Sequence, residues 1–134
     1  MNISQNGIDF IKGFESLRLT AYQDSVGVWT CGWGHTNGVT SSTVCSEPQA
    51  EQWLADDLAP ADAAVTRMAP DCNQNQHDAL CSFTFNLGSG ALSQMLAHGF
   101  DNVSTQILRW DRAGGQVVAG LTRRREAERT LFLS

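Results

Sequence analysis

Two carboxylic acids with contrasting neighbours stand near the start of the chain. Glu15 ends an apolar stretch, between Phe14 and the Leu17/Leu19 pair, where partial desolvation disfavours a charged carboxylate. Asp24 follows in a polar turn, flanked by Gln23 and Ser25, where the ionised form is expected. Two carboxyls in opposed settings are what hydrolysis of a glycosidic bond requires: one protonates the leaving oxygen, and the other stabilises positive charge or activates water. The same two residues also fit ordinary helix-end and turn positions, so their types alone do not decide. The stretch after Asp24 adds aromatic and imidazole groups, Trp29, Trp33 and His35. Trp29, Trp33 and His35 alternate on one face of an expected strand, and the tryptophans read either as sugar-stacking platforms or as core. His35 reads as a packing or pairing residue.

Few elements are needed to hold these groups. Ile8, Ile11 and Phe14 recur at helical spacing, which predicts a helix over about 4–15. Between Leu17 and Thr36 the glycines at 27, 32 and 34 punctuate Val26, Val28, Trp29 and Thr30, the pattern of a β-hairpin or small sheet. This β element is expected within about 17–45. Ser46 with Gln49 three residues on, and Pro48 between them, announces a helix, which Pro60 is expected to kink or split before it ends near Pro70. Asn73 to Gln76 opens another helix, closed by Gly88. Shorter helices are expected over about 90–98 and 103–112, the latter broken by Gly114-Gly115, and a last one capped by Thr122 and running through Leu131. The fold class is therefore α+β, mostly α, in a single domain over 1–134.

Composition narrows the function classes. The chain has 134 residues, a net charge of −5 and 42% hydrophobic residues, ordinary for a globular domain. No apolar run approaches the roughly 20 residues of a membrane span, and the first residues have neither the basic start nor the apolar stretch of a signal peptide. Residues 1–100 carry three basic side chains against ten acidic ones, and residues 101–134 six arginines against four acids. An acidic chain argues against a nucleic-acid partner, and the Arg123-Arg124-Arg125 run reads as a solvated helix start, or as a group seeking a partner such as Glu15, Glu126 or the cell wall. Cysteines stand at 31, 45, 72 and 81. With no Cys-x2-Cys pair, no metal site is expected. Two disulfides in any of three pairings, or four free thiols, remain open; Cys31 with Cys45 is the more plausible bridge, because both flank one small sheet.

The order of the residues carries more than their types. Phe14-Glu15-x-Leu17-Arg18-Leu19-x-Ala21-Tyr22-x-Asp24 is followed by Gly27-Val28-Trp29-Thr30-x-Gly32-x-Gly34-His35-Thr36. Eight residues separate Glu15 from Asp24, and five separate Asp24 from Thr30. This resembles the signature of the phage-type lysozymes, glycoside hydrolase family twenty-four. Gln76-x-x-Ala79-Leu80-x-Ser82-Phe83-x-Phe85-Asn86-x-Gly88 is similar to the central helix of that family. Trp110, Gly114-Gly115 and Gly120-Leu121-x-Arg123-Arg124-x-Glu126-x-Glu128 are similar to its C-terminal region. The stretch from Gly88 to Trp110 is shorter than the family leads one to expect.

The resemblance implies a lysozyme-like fold, with a small β lobe, a helical lobe and the active-site cleft between them. It implies an inverting muramidase that cuts the β-1,4 bond between N-acetylmuramic acid and N-acetylglucosamine in peptidoglycan glycan strands. Glu15 would be the general acid, Asp24 would activate the attacking water, and Thr30 would help to place it. Trp33 and Asn86 are the candidate substrate contacts, although Asn86 fits equally as a helix cap. No metal or organic cofactor, no nucleic-acid partner and no stable membrane association are implied. A monomer is expected, made in the bacterial cytoplasm and acting on the cell wall after release by a holin-type route.

Overall fold

The computed structural model describes all 134 residues, which divide into two compact units, residues 9–60 and residues 1–8 with 61–134. The first helix, α1, is shorter than expected, Gln5–Lys12. Two strands follow, β1 (Arg18–Gln23) and β2 (Trp29–Gly32). They pair antiparallel, with Tyr22 opposite Thr30, Gln23 opposite Trp29 and an irregularity between Arg18 and Tyr22. The far edge of β1 is covered by the segment at 43–45, where Ala21 N–H donates to the Thr43 carbonyl and Cys45 N–H to that of Leu19, both at 2.9 Å.

α2 spans Glu47–Met68, opened by Ser46, whose Oγ accepts the Gln49 amide at 3.2 Å. Pro60 does not split it. Proline deprives the Asp56 carbonyl of its helical donor, but Asp56 and Pro60 are both exposed, where the cost of an unpaired carbonyl is small. The opposite face, Leu54, Leu58, Ala61 and Val65, is buried and holds the helix together across the defect.

α3 (Gln74–Leu87) begins with a full capping box between Asn73 and Gln76 and ends at Gly88, whose N–H returns to the Thr84 carbonyl. α4 covers Ser89–Leu96. The helix expected over 103–112 is instead one α turn, α5 (Val103–Gln106), between two 3-10 turns at Phe100–Asn102 and Ile107–Arg109. Beyond it Gly114-Gly115, both at positive φ, turn a minimal hairpin of β3 (Arg112–Ala113) and β4 (Gln116–Val117), a hairpin signal that the helical pattern on either side obscures. α6 runs Ala119–Leu133. Thr122 is not its cap. The helix starts three residues earlier, and the Thr122 hydroxyl lies inside it, donating to Asp111 Oδ2 at 3.0 Å.

The core of the helical unit joins Val65, Leu80, Phe83, Leu92, Met95, Val103, Ile107 and Phe132, with Trp110 set edge-on to Phe83 at 5.7 Å. In the other unit Ile11, Cys31, Ala50 and Leu54 are buried, and the Gly32 backbone packs directly against Ala50 and Trp53.

Candidate active site

Glu15, Asp24 and Thr30 all belong to the unit of residues 9–60. Glu15 lies just beyond α1, in an irregular turn whose amide still donates to the Ile11 carbonyl at 3.2 Å. The helix thus sets the position of Glu15 without including it. The carboxylate lies against the backbone of Gly34. A Cβ at residue 34 would stand 2.8 Å from Glu15 Oε2, and Gly34 has φ +78°. Only glycine combines that backbone conformation with so close an approach.

Asp24 sits one residue past β1, where the chain turns toward β2. Its Oδ1 accepts the amides of Val26 at 3.0 Å and Val28 at 2.8 Å, while its own amide donates to the Val28 carbonyl at 2.9 Å. This turn clamps one carboxylate oxygen and leaves Oδ2 without a protein donor. Thr30 is buried in β2, and its hydroxyl donates to the Val28 carbonyl at 2.9 Å. Its one proton is spent there, so toward any further partner the Thr30 oxygen can only accept.

Tyr22 has no role in the sequence reading, yet its phenol feels the charge of both carboxylates. It lies directly opposite Thr30 in the β1–β2 pairing. Its phenol is held above the ordinary value, first by burial and next by the negative charge of Glu15, with the Arg18 guanidinium opposing and Asp24 adding to the rise. Both candidate carboxylates therefore act on one phenol. The Arg18 guanidinium lies 4.5 Å over the Tyr22 ring. The only signal in the sequence is that Tyr22 stands two residues before Asp24.

Trp33 and His35 do not continue β2 as expected. The chain turns sharply at 32–34, with Cys31 and His35 exchanging backbone hydrogen bonds of 2.9 Å. Trp33 is half-buried beneath the Lys12 ammonium, 5.2 Å from its ring centre. His35 is buried, stacked on Trp53 at 4.4 Å, and its Nδ1 lies 2.8 Å from Asp57. It packs and pairs, as its sequence context implies. Cys31 and Cys45 are free thiols with sulfurs 3.5 Å apart, and burial with the neighbouring Cys31 pushes the Cys45 thiol up to about 11.

In the helical unit the arginine run is not a solvated face. Arg123 is exposed, but Arg124 and Arg125 are buried. Arg125 Nε donates to Glu128 Oε1 at 2.7 Å, and its Nη2 donates to Glu128 Oε2 at 3.1 Å and to Asn86 Oδ1 at 2.8 Å. Ser82 Oγ donates to Glu128 Oε2 at 2.5 Å. The carboxylate that meets the run is thus Glu128, three and four residues along the helix, not Glu126. Asn86 is no cap; its carbonyl oxygen serves Arg125. Burial draws Arg125 below its usual range, while Glu128 acts against that shift.

No helix is long and apolar enough to cross a membrane. The phage lysozyme family profile matches residues 12–128. The endolysin of Acyrthosiphon pisum secondary endosymbiont phage 1 is 37% identical over all of this chain and 99% of its own length. That of Bacillus phage B103 is 42% identical, but this chain spans only 55% of it. Among solved structures, the muramidase domain of SpmX from Asticaccaulis excentricus superposes with a TM-score of 0.86 at 36% identity, covering 98% of this chain and 97% of that one. A crystal structure of a P22 lysozyme mutant gives 0.81 at 35%, covering 100% and 99%. With Glu15, Asp24 and Thr30 at the spacing read from the sequence and gathered in one compact unit, the chain belongs to the phage lysozyme family.

Proposed function

We propose that the chain is a muramidase of the endolysin kind. It hydrolyses the β-1,4 bond between N-acetylmuramic acid and N-acetylglucosamine in peptidoglycan, with inversion, and so lyses the bacterial cell wall. The observation that carries this reading is the contrast between the two carboxylates. Glu15 is lodged against the Gly34 backbone, and Asp24 is held by two amides through one oxygen, with the other open.

Glu15 donates its proton to the leaving glycosidic oxygen as the bond breaks. Asp24 Oδ2 takes a proton from the water that attacks the opposite face of the sugar. Thr30 accepts a hydrogen bond from that water, since its own proton is committed to Val28. An inverting pair needs its carboxyls about 6.5–9.5 Å apart to admit the water. Trp33 offers an aromatic face, and Asn86 offers the amide hydrogens that Arg125 does not use, as contacts to the glycan. The reading carries a cell-wall site of action and a monomeric working form, with no nucleic-acid partner.

The test is digestion of purified sacculi. Mass spectrometry should find reducing N-acetylmuramic acid ends, and proton NMR of freshly cut oligosaccharide should find the inverted α-anomer. Anhydro ends would identify a lytic transglycosylase instead, and a β-anomer would overturn inversion.

A further inference from the structure

Away from the residues used above, the helical unit gathers three groups of a different chemistry. His77 and Cys81 lie four residues apart on α3, hence on one face, and Asp62 approaches from α2. The ligating atoms of the three all lie within 4.8 Å of one another. His77 Nε2 is 2.6 Å from Asp62 Oδ1, and Cys81 Sγ is 3.9 Å from the same oxygen. We propose that Asp62, His77 and Cys81 form a zinc(II) site in which the ion ties α2 to α3.

The donor set is one that zinc takes, and tetrahedral bonds of about 2.0–2.3 Å separate ligand atoms by roughly 3.3–3.6 Å. Binding opens the His77–Asp62 contact by roughly 0.7 Å and closes no ligand pair by more than roughly 1.5 Å. His77 and Cys81 are fixed by burial, at 1% and 0% exposure, while the Asp62 side chain, 19% exposed, leaves a path for the ion. The Ile3 amide donates to both Asp62 oxygens, at 3.1 and 3.2 Å, the outer hydrogen bonding that orients a ligating carboxylate. Three protein ligands leave the fourth position to water.

The protons balance simply. Without the ion, burial and the nearby carboxylates of Asp62 and Asp78 push the Cys81 thiol far up, so it carries its proton. Zinc takes the sulfur as thiolate and releases that proton to solvent. His77 then holds its ring proton on Nδ1 and presents the Nε2 lone pair, so affinity rises with pH. The sequence gives no hint of this, because the third ligand lies 15 residues before His77 and the spacing is not that of a zinc finger.

Cobalt(II), a spectroscopic stand-in for zinc, is titrated into the reduced full-length protein, and bound zinc is measured after dialysis. The expected result is one ion per chain, a thiolate-to-cobalt charge-transfer band, and a higher Tm that a chelator reverses. Uptake should survive in Cys31→Ser/Cys45→Ser, which removes the thiol pair in contact at 3.5 Å. It should be lost in Cys81→Ser and weakened about 10–100-fold or more in Asp62→Asn, with circular dichroism confirming the fold. If Cys81→Ser fails to fold, the wild-type cobalt band and Asp62→Asn decide. A folded wild type without the band, or uptake unchanged in Asp62→Asn, overturns the site.

Discussion

The two units handle charge in opposite ways. In residues 9–60, Glu15 and Asp24 are only partly buried and are positioned by backbone, a glycine surface for one and a pair of amides for the other. In the helical unit, Arg125 and Glu128 are both 0% exposed, and Glu128 alone receives bonds from Ser82, Arg124 and Arg125. A carboxylate whose lone pairs are all engaged by fixed donors cannot exchange protons with a substrate. One held through a single oxygen can. On the proposed function, burial and saturation separate structural charge from chemical charge more sharply than residue type does.

The contrast breaks most readily at Glu15. Glu15→Gln keeps the shape and removes the proton, so lysis should fall by at least about 100-fold, since general acid catalysis contributes ~10²–10⁴, while Tm stays within a degree or two or rises. A variant retaining more than about a tenth of wild-type activity would remove Glu15 from the mechanism. Asp24→Asn should be similarly inactive and similarly folded.

Glu128→Ala should give the converse. It strands the Arg125 charge inside the helical unit, and breaking a buried pair costs about 3–5 kcal/mol, read as a large fall in Tm or in the denaturant midpoint. Glu128→Gln, which keeps two acceptor positions, should cost less. A Glu128→Ala protein that melts normally but is inactive would make the cluster chemical, and the distinction drawn above would collapse.

Gly34→Ala tests the site's dependence on backbone. The positive φ costs roughly 1–2 kcal/mol for a residue with a Cβ, a modest change in Tm. The new methyl group also displaces the Glu15 carboxylate, and a misplacement of about 1 Å can cost 10²-fold in rate. Activity should fall much further than stability. In the helical unit Gly7 is the counterpart. A Cβ there would stand 2.6 Å from the Asp78 carboxyl carbon, so Gly7→Ala should lower Tm and leave the specific activity of the folded fraction unchanged.

These two glycine contacts mark where the sequence is informative. Glu15, Asp24 and Thr30 are legible because the chain writes them in one continuous stretch at fixed spacing, and α3 because Asn73, Gln76 and Gly88 are local signals. What the sequence hides is set by partners far along the chain. His35 finds Asp57 22 residues away, and Arg125 finds Asn86 39 residues away. The sequence offers Glu126 as a partner of the arginine run, but i, i+3 and i, i+4 spacing fits Glu128, and Ser82 and Asn86 close the same cage from α3. Pro60 misleads for a related reason. Its local cost is real, but the buried face of α2 decides, and that burial exists only once the chain is folded.

The smallest effect concerns Cys45, at the edge of the unit that holds the candidate acids. Its thiol is raised to about 11 from an ordinary 9.0, chiefly by burial and then by Cys31. A raised value means that the folded chain holds the thiol proton more tightly than the unfolded one. That contribution to stability is complete below about pH 9 and is lost as pH rises through about 11. Cys72 and Cys81, raised by burial as well, slope the same way. Tm should therefore decline across this alkaline window, and Cys45→Ser should flatten only part of the decline, because Cys45 is partly exposed and the other two thiols remain. Labelling by iodoacetamide reads the same group directly: Cys45 should react more slowly at neutral pH than an ordinary surface thiol, and its rate should still be climbing above pH 9. A labelling rate that levels off near pH 9 would show that neither burial nor the Cys31 sulfur at 3.5 Å restrains Cys45 in solution.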